Sequence, residues 1–318
     1  MNQTVGRENL EIILVDDCST DESWEVIKEY EKKYPDIVKA LRTPQNLKQG
    51  GARNLGLKEA CGEWIGFMDG DDWPARDMYE KLLEKASETG ADVVGCDLHQ
   101  VHEHTMEIGS IVNANTMDQT GVLDIEKKKK LVLNPCSMVI KIYKSKLIRD
   151  NNLSFPENMF YEDNAEAPVW MLCSSHFEKV EEPLYYYYQE SGSTTHHISV
   201  SKCEDRLEAG RILLREFKQR GWFDSYKEEL EAAFTKLYYS NTLFTYMSGV
   251  DKTSMGFVRK MMRELKANFP EFEKNPYFDK LYDAEEKKLM LMHKKSTLLF
   301  YTYYKLLWFY RRVRYNKD

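Results

Sequence analysis

No stretch of this 318-residue chain comes near 18 consecutive apolar residues, so no bilayer-spanning helix is expected. Cysteine is scarce: the six stand singly at 18, 61, 96, 136, 173 and 203, with no CxxC pair and no close histidine cluster. That excludes a disulfide framework and a structural zinc site and fits a reducing compartment. Positive charge is not in excess, since 45 Lys and Arg face 52 Asp and Glu for a net charge of -7. A nucleic-acid partner is therefore not expected, because a phosphate backbone rewards a basic footprint. The opening residues, MNQTVGRENLE, lack the apolar core of a signal peptide, which points to a cytoplasmic location. No Gly-x-Gly-x-x-Gly follows the first apolar run, which removes a dinucleotide-binding dehydrogenase. No basic, glycine-rich loop precedes Asp16, which counts against a nucleotidyltransferase gripping a triphosphate.

What is present first is alternation. Residues 11–15 (Glu-Ile-Ile-Leu-Val) read as a buried strand that ends on Asp16 and Asp17. Ser19 or Thr20 can cap the following helix, and Asp21 and Glu22 suit its first turn. Residues 38–41 form a second strand, followed by the polar loop Gln45 to Gly51 and a helix over 52–60 carrying Arg53. Residues 64–68 read as a strand ending on Asp69-Gly70-Asp71-Asp72, then come a helix over 77–89 and a strand over 91–96. Alternating strands and helices predict an α/β fold with a mostly parallel, doubly wound sheet. Ligands of such sheets bind beyond the carboxyl ends of the strands, where two separate strands here deliver aspartates.

Residues 100–135 are less regular, with a possible antiparallel excursion at 107–113 and a lysine run, 127–130, read as a solvated helix face. Further strands are expected at 137–141, 177–180 and 184–188, and a helix at 165–173. Beyond residue 200 the pattern turns helical: 201–220, 225–248, 254–268 and 285–314. A catalytic α/β unit over 1–200 and an α-helical extension over 201–318 are thus expected.

Carboxylates at strand ends suit Mg²⁺ or Mn²⁺ on a diphosphate, because hard cations prefer oxygen ligands. Taken alone, Asp69, Asp71 and Asp72 are equally an acidic turn capping the next helix. Their surroundings decide more. Ile13-Leu-Val-Asp-Asp-Cys-Ser-Thr-Asp21, Gly51-Ala-Arg-Asn-Leu-Gly56, Phe67-Met-Asp-Gly-Asp-Asp72 and Glu162-Asp163, in this order and spacing, resemble the family 2 inverting glycosyltransferases of bacterial capsule and exopolysaccharide synthesis. The resemblance covers about residues 1–195 and implies a GT-A fold, Rossmann-related, with helices on both faces of the sheet. It implies that Asp17 lies against the base of a nucleotide-sugar, that Asp16 supports that loop and that Arg53 lines the same site. It gives Asp69 to the metal and ribose, Asp71 to Mn²⁺ or Mg²⁺ with Asp72 close by as a further metal candidate, and the proton-removing base to Asp163, with Glu162 orienting it or hydrogen-bonding the acceptor. An acid pair opening a helix is also an ordinary charge bias. In some family members a histidine after a strand like 184–188 completes the metal shell. His196 is the candidate here, though it reads equally as an exposed loop residue. The expected partners are a UDP-sugar donor and a saccharide or lipid-linked acceptor.

From Lys287 to Lys317 there are nine Lys and Arg around the aromatic run 298–310. As a helix this suits lying on an anionic membrane, at about 1 kcal/mol per well-placed base; packing on the helical extension or a dimer contact are the other readings. The chain also departs from the family pattern. Met1-Asn-Gln-Thr4 resembles the end of the family's first helix, so the opening strand is expected to be missing, through a misassigned start, a fragment or degeneration. The expectation is poor folding and weak transfer as written, with activity regained on extension upstream, and a non-catalytic nucleotide-sugar binder as the alternative.

Overall fold

The computed structural model describes residues 2–102, 108–112, 115–189 and 198–315. Two compact units divide the chain, Met1–His196 and His197–Asp318.

In the first unit, β1 (Ile12–Asp16) pairs in parallel with β2 (Val38–Arg42), and α1 (Ser23–Lys33) connects them. The turn into α1 is held by Asp21, whose carboxylate accepts from the Ser23 amide at 3.0 Å, and Glu22 stands at the cap position. Helix α2 (Lys48–Glu59) starts four residues earlier than expected and takes in Gly50 and Gly51. Then follow β3 (Trp64–Gly66), β4 (Trp73–Pro74), α3 (Met78–Thr89), β5 (Val93–His102), β6 (Ile108–Val112) and β7 (Gly121–Val122). The unit continues with α4 (Ile125–Leu133), β8 (Lys141–Lys144), α5 (Ser145–Asp150), α6 (Glu162–Cys173) and β9 (His176–Gln189).

The sheets are mixed, which corrects the expectation of a mostly parallel one. Strands β1 and β2 form a sheet of two, and the other seven form a second sheet along the path β3-β8-β5-β9-β4, with β6 on β5 and β7 on β9. Only β1–β2 and β5–β9 run parallel; β8 lies antiparallel between β3 and β5, and β4, β6 and β7 pair antiparallel. The physical reason is the insertion of β8, which enters from the 134–140 loop in the opposite direction. Its side chains Lys141, Ile142 and Tyr143 are all buried, so it reads like a parallel core strand. It also starts where the sequence placed its end. The two tyrosine-side strands are one, β9, whose register against β5 shifts around Asp97, opposite Pro183. Proline cannot donate to a ladder, and a bulge absorbs it. The core of this unit is aromatic: Phe67 meets Tyr143, Phe155 and Trp170 at ring separations of 5.3–6.2 Å.

The lysines of α4 are tied down more than a solvated face requires. Lys128 donates to the Leu172 carbonyl at 2.9 Å, and Lys127 to that of Val122.

The second unit is helical: α7 (Val200–Gln219), α8 (Lys227–Phe234), α9 (Thr242–Gly249), α10 (Met255–Asn268), α11 (Phe278–Leu281), α12 (Ala284–Lys295) and α13 (Thr297–Tyr315). Between α8 and α9, Thr235–Asn241 winds as a π-helical turn, so the expected 225–248 helix is continuous but locally widened. The expected 285–314 helix is two. Ser296 is extended, and its hydroxyl accepts from the Leu299 amide at 3.2 Å, which makes it the N-cap of α13.

Candidate active site

The acids at the end of β1 hold their own loop. Asp16 is buried, accepts from the Ser19 amide and pairs with Arg42 at 2.9 Å. Asp17 is half-buried; one of its oxygens accepts from the Thr43 hydroxyl and the Leu47 amide, both at 2.8 Å. It therefore ties the end of β1 to the 43–47 segment that leads into α2.

Helix α2 is fitted closely to the segment 155–158. Asn54 exchanges hydrogen bonds with Phe155, its amide donating to the carbonyl at 2.8 Å and its carbonyl accepting from the backbone N–H at 2.9 Å. A Cβ on Gly50 would sit 1.9 Å from the Pro156 carbonyl oxygen, so only glycine permits this approach. One residue before Asn54, Arg53 reaches two acids at once. Its guanidinium pairs with Asp69 at 2.8 Å and with Glu162 at 2.6 Å, and it lies over the Phe155 ring. Asp69 leaves β3, and Glu162 opens α6, so residues 16 and 109 positions away in sequence meet at one side chain.

Burial works against the Arg53 charge, but Asp69, Glu162 and Asp163 outweigh it and hold the guanidinium above its usual range. Glu162 is 5% exposed. Burial and then the neighbouring Asp163 charge push its carboxyl up to about 7, more than Arg53 lowers it. Asp163 is half-buried, with one oxygen accepting from the Asn164 backbone and side-chain N–H groups at 2.8 Å.

The Asp69–Asp72 turn splits its acids between two directions. Asp71 is exposed and Asp69 is partly so. Asp72 is turned inward: one oxygen accepts from the Tyr185 hydroxyl at 2.6 Å, the other from the Tyr188 amide at 2.8 Å. Burial pushes Asp72 up to about 6, against the lowering effect of those two bonds. It pins the turn to β9, an arrangement different from the metal contact expected of it. Gly70 has open space where a side chain would go and lacks a positive φ, so the turn does not depend on it.

Two carboxylates on an accessible turn suit Mg²⁺ or Mn²⁺, which take one or two protein acids alongside substrate phosphates and water. Among the described residues no three His, Cys, Asp or Glu side chains form a ready-made ion site. His196 lies outside the described residues.

Among known proteins, residues 1–149 match the profile of "Glycosyl transferase family 2". The match takes in just under half of the chain. It is 34% identical over 199 residues to the minor teichoic acid biosynthesis protein GgaB of Bacillus subtilis, covering 61% of this chain and 21% of that protein. The uncharacterized glycosyltransferase YibD of Escherichia coli is 29% identical over 59% of this chain and 56% of its own. The poly(ribitol-phosphate) beta-N-acetylglucosaminyltransferase TarS of Staphylococcus aureus is 25% identical over 75% of this chain and 40% of its own. The chain thus matches about a fifth to just over half of these relatives' lengths. Crystal structures of S. aureus TarS share the fold: one has a TM-score of 0.68 at 21% identity over 93% of this chain and 49% of that one. The form spanning TarS residues 1–349 gives 0.66 at 18% identity, over 99% of this chain and 85% of that one.

Several residues of the candidate site had no role assigned to them from the sequence. Tyr185 was one of four consecutive tyrosines, of which it alone is fully buried. Gly50, Asn54 and Phe155 act through contacts about 100 residues apart in sequence. Thr43 has no motif around it at all.

Proposed function

We propose that this chain is a family 2 inverting glycosyltransferase that moves a sugar from a UDP-sugar to a hydroxyl of a saccharide or lipid-linked acceptor in cell-surface polysaccharide synthesis. The observation that carries the proposal is Arg53 joined to Asp69 and Glu162, which brings three distant motif stretches to one place beside Asp163.

In this reading Asp17 and the 43–47 segment receive the nucleotide, and Asp16 keeps that loop in shape. Asp69 and Asp71 would hold Mn²⁺ or Mg²⁺, which, when bound, neutralises charge on the departing diphosphate. Asp163 accepts the proton of the acceptor hydroxyl as it attacks the anomeric carbon from the face opposite the nucleotide. Glu162, locked by Arg53, fixes the start of α6 and so the position of Asp163. The similarity to TarS, a poly(ribitol-phosphate) beta-N-acetylglucosaminyltransferase crystallised in complex with UDP-GlcNAc, supports a UDP-linked donor. A lipid-linked acceptor would place the protein at an anionic membrane surface, on the cytoplasmic side of the plasma membrane.

The test is UDP release from a panel of UDP-sugars with Mn²⁺ or Mg²⁺, alongside Asp71→Ala. One donor should be turned over, metal should be required, and Asp71→Ala should lower turnover about a hundredfold or more, the scale of several kcal/mol of charge stabilisation. Turnover indifferent to Asp71→Ala would overturn the assignment. Donor binding without UDP release would make the protein a nucleotide-sugar binder instead.

A further inference from the structure

Helix α13 is dressed the wrong way round for a surface helix. An ordinary one is α10, which buries Val258, Met261, Met262 and Leu265 and leaves Arg259, Arg263 and Lys266 outside. Helix α13 also buries an apolar side, with Phe300 at 0% and Tyr304 at 6% exposure. Its outward side is apolar as well: Leu298, Leu299, Leu306, Phe309, Tyr310 and Val313 are 52–68% exposed. At 100° per residue, positions 298, 306, 309 and 313 form one stripe, with 299 and 310 along one margin.

Charge selects what could cover this face. From Thr297 to Tyr315 there is no Asp or Glu. Lys305 and Arg314 fall on opposite margins of the stripe, and neither has a carboxylate partner among the described residues; Lys305 lies near the Tyr301 ring and Arg314 reaches the Tyr310 hydroxyl. Arg311 points the other way, to Glu285 at 2.7 Å. Two copies of this face packed about a two-fold axis would set base against base. An apolar stripe with basic margins instead matches a layer of acyl chains under anionic headgroups, with aromatic side chains at the boundary. No helix among the described residues is long and apolar enough to cross a membrane, so α13 would lie in the plane of one.

We propose that the outward face of α13 docks this protein onto an anionic lipid surface, with Leu306 and Phe309 inserted and Lys305 and Arg314 on the headgroups. The proposal does not depend on the transfer reaction. The experiment is co-sedimentation of the full chain with phosphatidylglycerol–phosphatidylcholine vesicles and with phosphatidylcholine vesicles. The wild type should partition at least tenfold better onto the anionic vesicles, and more weakly in high salt. Lys305→Ala with Arg314→Ala should weaken binding about thirtyfold, since each base near an anionic surface is worth about fivefold. Leu306→Glu with Phe309→Glu should abolish binding while leaving the melting temperature unchanged, because both side chains are exposed. Failure of the wild type to bind either vesicle, or equal binding by the Leu306→Glu/Phe309→Glu variant, would overturn it. So would a dimer that this variant splits without changing vesicle binding.

Discussion

The two sheets of the first unit are built differently although both lead into candidate site acids. In the seven-stranded sheet, Val93, Val94, Ile142, Tyr143 and Tyr185 are all at or below 2% exposure, and Phe67, Tyr143 and Trp170 pack against one another. In the two-stranded sheet, Ile12 to Val15 are only half-buried, and β1 has β2 as its one strand partner among the described residues. Packing holds the first sheet. The second leans on side-chain bonds: Asp16 to Arg42, and Asp17 to Thr43 and Leu47. On the proposed function, the rigid sheet carries the reacting acids and the lightly packed one carries the nucleotide loop. A chemical step needs groups fixed to a fraction of an ångström, whereas a nucleotide can draw a loop onto itself.

The sharpest way to break this division is kinetic. Asp163→Asn should lower kcat about a thousandfold, within the range for loss of a general base, with KM little changed. Asp17→Ala should mainly raise KM, about tenfold. Steady-state kinetics on the turned-over UDP-sugar separates the two, and a pure KM effect at Asp163 would sink its role as base. Next in size is Gly50→Ala, whose new methyl would meet the Pro156 carbonyl. Helix α2 must then retreat from the 155–158 segment, taking Arg53 with it. Overpacking of this kind costs about 1–3 kcal/mol, and the melting temperature and kcat should fall together. A variant as stable and active as the wild type would show that the close approach is dispensable.

A pH experiment reads the same contact from the other side. Glu162 is raised from an ordinary 4.5 to about 7, so between those values the folded protein holds a proton that the unfolded chain has lost. Stability therefore falls as pH rises through that window and levels off above it. Glu162→Gln removes this slope, so its melting temperature relative to wild type should climb by a few degrees, roughly, between pH 4.5 and 7. Asp72, raised to about 6, keeps a similar slope in both proteins below that pH. Parallel melting curves across the window would mean Glu162 is charged throughout.

The comparison also explains what could be read without coordinates. Ile-Leu-Val-Asp-Asp and Phe-Met-Asp-Gly-Asp-Asp announce acids at strand ends because apolar runs and carboxylates are local signals. Arg53 stood in a recognisable stretch, but its two partners did not follow from it, since helix α2 alone does not say which elements its arginine faces. Asp72 carried the same letter as Asp71 and took the opposite direction, because Tyr185 waits beneath it on a strand 113 residues later. Strand β8 hid its direction for a similar reason: a strand buried on both faces shows no alternation, whichever way it runs. Ser296 was missed for a different reason: it is a cap residue type inside an expected helix of 30 residues, a length that should have invited a break.

A pair of truncations, one of them the smallest expected effect, tests the packing difference directly. Ile142 is 2% exposed between β3 and β5, and Ile142→Ala should cost about 2–5 kcal/mol, the usual range for truncating a buried aliphatic side chain. Leu14 stands at the middle of β1, half-buried. Full burial of a leucine is worth about 1.5–3 kcal/mol, so Leu14→Ala should cost only about 1 kcal/mol. Urea denaturation of both variants gives the two numbers on one scale. If Leu14→Ala proves as costly as Ile142→Ala, β1 is packed as firmly as the large sheet. The donor loop would then be preformed, and Asp17→Ala should lower kcat as well as raise KM.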